Sequence, residues 1–159
     1  MRAIVVSDSH TDTSSLERAI DSQGKLDLII HLGDIARDVD YIETCYYPVK
    51  VVSVLGNNDY RYEDYERVID FDGRKIFICH GHTQSVSSGY ERLEATARAK
   101  GCEAALFGHT HRSVLEKRED GFMILNPGSV SKPRGCRPSF AVLETENGKL
   151  KAVIVDWVL

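Results

Sequence analysis

Ala104-Ala105-Leu106-Phe107-Gly108-His109-Thr110-His111 passes in eight residues from a short apolar run to a glycine and two histidines. Four residues of small or bulky apolar type followed by an abrupt polar stop read as a buried β-strand with functional groups at its end. The same grammar recurs four times on the N-terminal side. Ala3 to Val6 runs into Asp8 and His10, and Leu28 to Ile30 runs into His31 and then Gly33-Asp34. Val49 to Leu55 runs into Gly56-Asn57-Asn58-Asp59, and Ile76 to Cys79 into His80-Gly81-His82. Between the first two strands, Thr13 or Ser14 is expected to cap a helix through Leu16, Ala19 and Ile20, with Glu17 placed for a capping box and Gly24 as the stop. That unit is βαβ. A second helix is expected from about Ser88 to Lys100, ended by Gly101. Beyond His111 the spacing changes to hairpins, with strands Val114 to Lys117, Phe122 to Leu125, Phe140 to Leu143 and Ala152 to Val155. Asp120-Gly121 and Asn147-Gly148 are the turns, and Asn126 to Pro138 is read as a loop.

In open α/β sheets ligands gather at the carboxyl ends of strands, so the five polar stops are expected to face one another. All six histidines, at 10, 31, 80, 82, 109 and 111, fall in those stops. One such histidine is ordinarily a hydrogen-bonded structural residue, a reading that weakens sharply for a set of six gathered in this way. Asp8 with His10 and His109 with His111 stand two apart, and in an extended backbone such pairs point to one side. Donors of metal-binding type are Asp8, His10, Asp34, Asn57, His80, His109 and His111. Seven nitrogen and oxygen donors exceed what one tetrahedral ion needs and suit two divalent ions of the Mn, Fe, Co, Ni or Zn kind. Glycines at 33, 56, 81 and 108 adjoin these residues and would let the backbone turn tightly there.

Composition bounds the partners. The 159 residues carry 20 Lys plus Arg against 24 Asp plus Glu, a net charge of −4, which argues against an extended nucleic-acid surface or attraction to anionic lipid. The length suits one domain, residues 1–159. No apolar run approaches the ~18 residues of a membrane span, and no signal-peptide core precedes Ser7. Cys45, Cys79, Cys102 and Cys136 form no C-x-x-C pair and are read as reduced, buried thiols in a cytoplasm. No G-x-x-x-x-G-K phosphate cradle is present.

The ordered set D-x-H (Asp8, His10), G-D (Gly33, Asp34), G-N-x-D (Gly56, Asn57, Asp59), H-G-H (His80 to His82) and G-H-T-H (Gly108 to His111) resembles the calcineurin-like metallophosphoesterase superfamily. The short chain and Asn126-Pro127-Gly128-Ser129 are similar to its small bacterial and archaeal phosphodiesterase branch. The resemblance implies an α/β fold, a two-sheet mixed β-sandwich flanked by helices. It also implies that Asp8, His10, Asp34 and His111 hold one metal and Asp34, Asn57, His80 and His109 the other, with Asp34 bridging. A small phosphodiester would then be hydrolysed by attack of a metal-bridging hydroxide, with Asp8, Asp34, Asn57 and His82 as the catalytic residues. Many relatives read G-N-H-E and use that histidine toward the leaving group, whereas this chain has Asn58 there. An amide is no general acid, so His82 or a water would have to substitute. The alternative is a non-catalytic protein-binding scaffold, as in a eukaryotic retromer subunit of the same fold. His31 is read as a structural residue, with orientation of the Asp34 loop as the alternative. Arg112, Lys132, Arg134 and Arg137 are read as solvated loop cations, with phosphate positioning as the alternative. Tyr60 to Arg67 reads as an exposed loop or helix, the alternative being a homodimer contact.

Overall fold

A computed structural model describes residues 1–157. Alternation of apolar side chains builds the layers. In β1 (Arg2–Val6), Ala3 and Val5 point to one side and Ile4 and Val6 to the other, all fully buried, so this strand is covered on both faces. Its parallel neighbours are β2 (Leu28–His31) and, beyond it, β3 (Lys50–Ser53). On the opposite side β1 pairs antiparallel with β9 (Ser139–Glu146), which pairs in turn with β10 (Lys149–Asp156), giving the order β10-β9-β1-β2-β3. The second sheet is β4 (Glu66–Phe71), β5 (Arg74–Cys79), β6 (Ala104–Leu106), β8 (Met123–Pro127) and β7 (Ser113–Lys117), in that spatial order. β5, β6 and β8 run parallel, and β4 and β7 close the edges antiparallel.

Ala3, Val5, Leu28 and Ile30 meet Phe71, Ile76, Ile78, Leu106 and Leu125 between the sheets in one cluster. The outward set Ile4, Val6 and Ile29 packs on Leu16, Ala19 and Ile20 of α1 (Thr13–Asp21) and Ile42 of α2 (Ala36–Cys45). Phe77, Cys79, Ala105 and Phe107 likewise receive Leu93 and Ala97 of α3 (Glu91–Ala99). The result is helix, sheet, sheet, helix: two mixed five-stranded sheets flanked by three helices, as the sequence implied.

Several local readings are corrected. Asp12, not Thr13 or Ser14, caps α1: its carboxylate accepts from the Ser15 amide at 3.0 Å and the Ser15 hydroxyl at 2.7 Å. Glu17 forms no capping box; it accepts from the Tyr41 hydroxyl of α2. Asn126 and Pro127 belong to β8 rather than to a loop. Cys79 and Cys102 are buried, whereas Cys45 and Cys136 are exposed. Tyr60 to Tyr65 is an exposed loop, and β4 starts at Glu66.

α2 and β4 have no counterpart in the sequence reading. α2 buries only Asp38, Val39 and Ile42, too few for a visible stripe, and its starting residue offers no side-chain cap. Asp59, 23 residues downstream, supplies one by accepting from the Ile35 and Ala36 amides at 3.1 and 2.7 Å. β4 is an edge strand that buries only Ile69 and Phe71.

Candidate metal centre

The ends of β1, β2, β3, β5 and β6 lie on one side of the sandwich, and their following loops bring the seven donor residues together. His10 Nε2 lies 3.2 Å from His111 Nε2, and His111 Nε2 lies 3.3 Å from Asp8 Oδ1. His80 Nε2 stands 3.2 Å from Asn57 Oδ1, 3.5 Å from Asp34 Oδ1 and 3.9 Å from Asp8 Oδ1. His109 Nδ1 approaches Asn57 Oδ1 at 2.9 Å, and His10 Nε2 approaches Asp34 Oδ2 at 3.8 Å. Among the described residues two groups of metal-binding type emerge, Asp8 with His10 and His111, and Asp8 with Asp34 and His80.

The convergence does not come from strand alternation. Asp8, His10, Asp34, His109 and His111 all have positive φ, between 47° and 68°, so each donor is placed by a left-handed turn beyond its strand. Close backbone approach makes this geometry fit. A Cβ on Gly56 would lie 2.1 Å from Asp34 Oδ1 and 2.4 Å from the Asp34 amide nitrogen.

The surrounding hydrogen bonds orient the donors. His80 Nδ1 lies 2.7 Å from the Leu32 carbonyl and His111 Nδ1 lies 2.6 Å from the Lys132 carbonyl. Those acceptors assign the ring proton to Nδ1 in the neutral imidazole and leave Nε2 as a lone pair facing the site. His80 Nε2 therefore meets three oxygens that are acceptors too. Asp8 Oδ2 accepts from the Ser7 hydroxyl at 2.7 Å and from the His109 amide at 3.0 Å, while its Oδ1 is buried without a partner. With His80 in its neutral form, such a cluster of buried lone pairs is costly unless a cation is shared among them. The donor set therefore fits divalent metal ions.

Charge states point the same way. Burial pushes the Asp8 carboxyl up to about 6, only partly offset by His80 and the Ser7 hydroxyl. At Asp34 burial acts upward as well, but His80, the two Asn58 hydrogen bonds and His10 outweigh it and hold the group below the usual carboxylate range. Burial lowers His10 and His109, favouring their neutral, ligating forms. His31 is fully buried and lowered to about 4 by burial. It accepts from the Gly33 amide at 3.2 Å and meets Ser9 Oγ at 3.1 Å, and Ser9 donates to Asp38. It thus stays neutral and braces the Asp34 loop, as a structural residue. His82 is half-buried beside the cluster, its ring 5.6 Å from that of His80 and 6.2 Å from that of His109, with Nδ1 buried and without a partner.

Residues 1–148 match the model of the calcineurin-like phosphoesterase superfamily domain. The chain belongs to the calcineurin-like phosphoesterase superfamily. It is a metal-dependent hydrolase by that membership. Phosphodiesterase MJ0936 of Methanocaldococcus jannaschii is 25% identical, covering 98% of this chain and 100% of that protein. A conserved protein from Streptococcus pneumoniae TIGR4, described as a predicted phosphoesterase, superposes with a TM-score of 0.81 at 28% identity, over 98% of this chain and 88% of that one. Vps29 complexed with zinc from Entamoeba histolytica shares the fold, with a TM-score of 0.75 at 23% identity over 98% and 99% of the two chains. Among the described residues of this phosphoesterase, no helix is long and apolar enough to cross a membrane.

Sequence reasoning missed the groups that aim the phosphoesterase's donors: Ser7, Asn58 and the carbonyls of Leu32 and Lys132. Asn58 donates from Nδ2 to Asp34 Oδ2 at 2.7 Å and from its amide to Oδ1 at 3.2 Å. Only the polar character of Ser7 and Asn58 beside the ligand positions could have signalled them; backbone carbonyls leave no trace in sequence.

The raised Asp8 carboxyl carries a pH prediction for the metal-free protein. Its folded value lies above the unfolded 3.8, so its contribution to stability is present below about 4 and is lost as pH rises through about 6. Asp8→Asn removes that loss. In melts of chelator-treated protein, the Tm of Asp8→Asn relative to the natural chain is expected to climb between pH 4 and pH 7. A difference that stays flat would show that Asp8 is not the buried charge inferred here.

Proposed function

We propose that this phosphoesterase hydrolyses phosphodiesters with two divalent cations, of Mn, Ni, Fe, Co or Zn. Asp8, His10, Asp34 and His111 would hold one and Asp34, Asn57, His80 and His109 the other. The observation that carries the reading is the meeting of Asn57 Oδ1, Asp34 Oδ1 and the partnerless Asp8 Oδ1 within 3.2, 3.5 and 3.9 Å of His80 Nε2. Asp34 faces His80 with one oxygen and His10 with the other, which supports its service to both ions. Such ions lower the pKa of water toward about 7 and neutralise charge on phosphoryl oxygens. The chain's own part is to fix the donors. Ser7 and the His109 amide hold Asp8 Oδ2 so that Oδ1 aims inward, and the Leu32 and Lys132 carbonyls set two rings. Diester preference rests on the likeness to relatives such as the phosphodiesterase of M. jannaschii. A scaffold role draws on the Vps29 neighbour; the complete donor set weighs against it. Residues 1–159 would act as one domain, in a cytoplasm that keeps Cys45, Cys79, Cys102 and Cys136 reduced, as all four are free.

The test is elemental analysis alongside a panel of phosphodiesters and phosphomonoesters, including bis(p-nitrophenyl) phosphate with added Mn or Ni. Two metal equivalents per chain and diester cleavage are expected. One equivalent would end the two-cation reading, and no diester cleavage would end the phosphodiesterase reading.

Asn58 sets the leaving-group behaviour. Its side-chain amide is committed to Asp34 and has no proton to give to a departing alkoxide. Among aryl diesters, the rate is expected to fall more steeply with rising leaving-group pKa in this protein than in Asn58→His. His82, beside the centre, would serve as a substrate contact or proton donor; equal slopes in the two proteins would shift the leaving-group proton to it or to water.

A further inference from the structure

A cavity of about 430 Å³ opens beside the metal centre, with His109 in its wall. Val86, Tyr90 and Val114 make it partly apolar, and Arg112 and Arg134 line it as well. Its volume lies in the ~300–1,000 Å³ range of small-molecule pockets. Tyr90 is braced by Phe107, ring centroids 5.2 Å apart, so the apolar wall is anchored to the core cluster behind α3.

Position distinguishes two arginines of this cavity. Arg2, Arg61, Arg74, Arg98 and Arg118 each meet a carboxylate. Among the described residues Arg112 and Arg134 form no such ion pair, as is also true of Arg37, Arg67, Arg92 and Arg137, but only Arg112 and Arg134 of these line the cavity that holds His109. Both are fixed at the backbone next to donor residues. Arg112 follows His111 directly, and the Arg134 amide donates to the His111 carbonyl at 3.0 Å. Unneutralised guanidinium groups in a cleft present forks matched to phosphate oxygens. The apolar wall asks for more than a bare anion and suits a sugar or base ring.

We propose that this cavity receives one arm of the phosphodiester and selects an arm bearing a second phosphate, with Arg112 and Arg134 holding that phosphate against the Val86, Tyr90 and Val114 wall. The inference rests on the phosphodiesterase reading above and narrows it to short nucleotide diesters with a terminal phosphate. Arg112 and Arg134 are specificity residues in this arrangement; the reacting phosphate remains with the metal centre.

The probes are the dithymidylates pTpT and TpT, which differ by the terminal phosphate alone. Their cleavage by manganese-loaded protein is followed by chromatography, and calorimetric titration of both gives a readout independent of turnover. The natural chain is expected to favour pTpT by about 10-fold or more in KM and in Kd. The double variant Arg112→Ala, Arg134→Ala is expected to lose that preference while kcat/KM on TpT stays within about 2-fold. Equal affinity for the two in the natural chain overturns the proposal. So does a preference that survives in the double variant, or an equal loss on both dinucleotides. Binding that favours pTpT without cleavage of either would support the cavity's selectivity and overturn the phosphodiesterase reading.

Discussion

Replacing Asp34 by asparagine is expected to lower kcat/KM on bis(p-nitrophenyl) phosphate by more than about 100-fold and to reduce bound metal below two equivalents. Substitution of groups that merely orient a metal ligand typically costs about 10 to 100-fold in affinity or activity. Under the proposed two-cation reading Asp34 would itself be a ligand: its two oxygens face His80 at 3.5 Å and His10 at 3.8 Å. The substitution removes one negative charge and gives up one acceptor, while the neighbouring Asn58 can still meet the remaining oxygen. Circular dichroism should report an intact fold, separating lost chemistry from lost structure. Retention of two metal equivalents with a rate within about 10-fold of the natural chain would remove Asp34 from the bridging role.

The second large effect is expected from Gly56→Ala, which adds a single methyl group. Gly56 is confined by space rather than by φ, because the new Cβ would sit 2.1 Å from Asp34 Oδ1 and 2.4 Å from the Asp34 amide nitrogen. Rotating the Asp34 side chain cannot relieve the clash with the backbone. Nor is the loop free to slide, since Asp59 accepts from Gly56 at 2.8 Å and from Ile35 and Ala36 together. Overpacking of this kind costs about 1–3 kcal/mol or more, so a fall in Tm of roughly 5 °C or more is expected, with loss of metal retention. Gly24→Ala is the control. Gly24 has nothing within 4 Å of its Cβ position and lies at φ 65°, so only local strain of about 1 kcal/mol should follow, with activity unchanged. Similar melting temperatures and activities for the two variants would show that the Asp34 and Gly56 loops yield more readily than their contacts suggest.

Much of this molecule was legible from residue order because the informative signals are local. Buried strands such as Ile4 to Val6 declare themselves by unbroken apolar residues, and Asn147-Gly148 is a two-residue hairpin turn with both φ positive, at 50° and 71°. The donor residues were legible because each closes a strand, and strand ends in parallel sheets converge. What escaped was non-local. α2 depends on a cap from Asp59, and β4 is half-exposed with arginine and aspartate among its residues. The reach of Asp8 and His10 toward one centre was foreseen, but its cause was not. Extended geometry would place them side by side, whereas left-handed turns do so here.

Those turns have an energetic meaning beyond geometry. Of the ten non-glycine residues with positive φ among the described residues, seven are Asp8, His10, Thr11, Asp34, Ile35, His109 and His111, all donors or their immediate neighbours. Such conformations cost on the order of 1–3 kcal/mol each and persist only where the surrounding fold enforces them. The sandwich therefore spends part of its folding free energy on shaping a rigid receptacle before any ion arrives. Loading then needs little rearrangement of the chain, and the tension held in the loops is the thermodynamic counterpart of the receptacle's readiness.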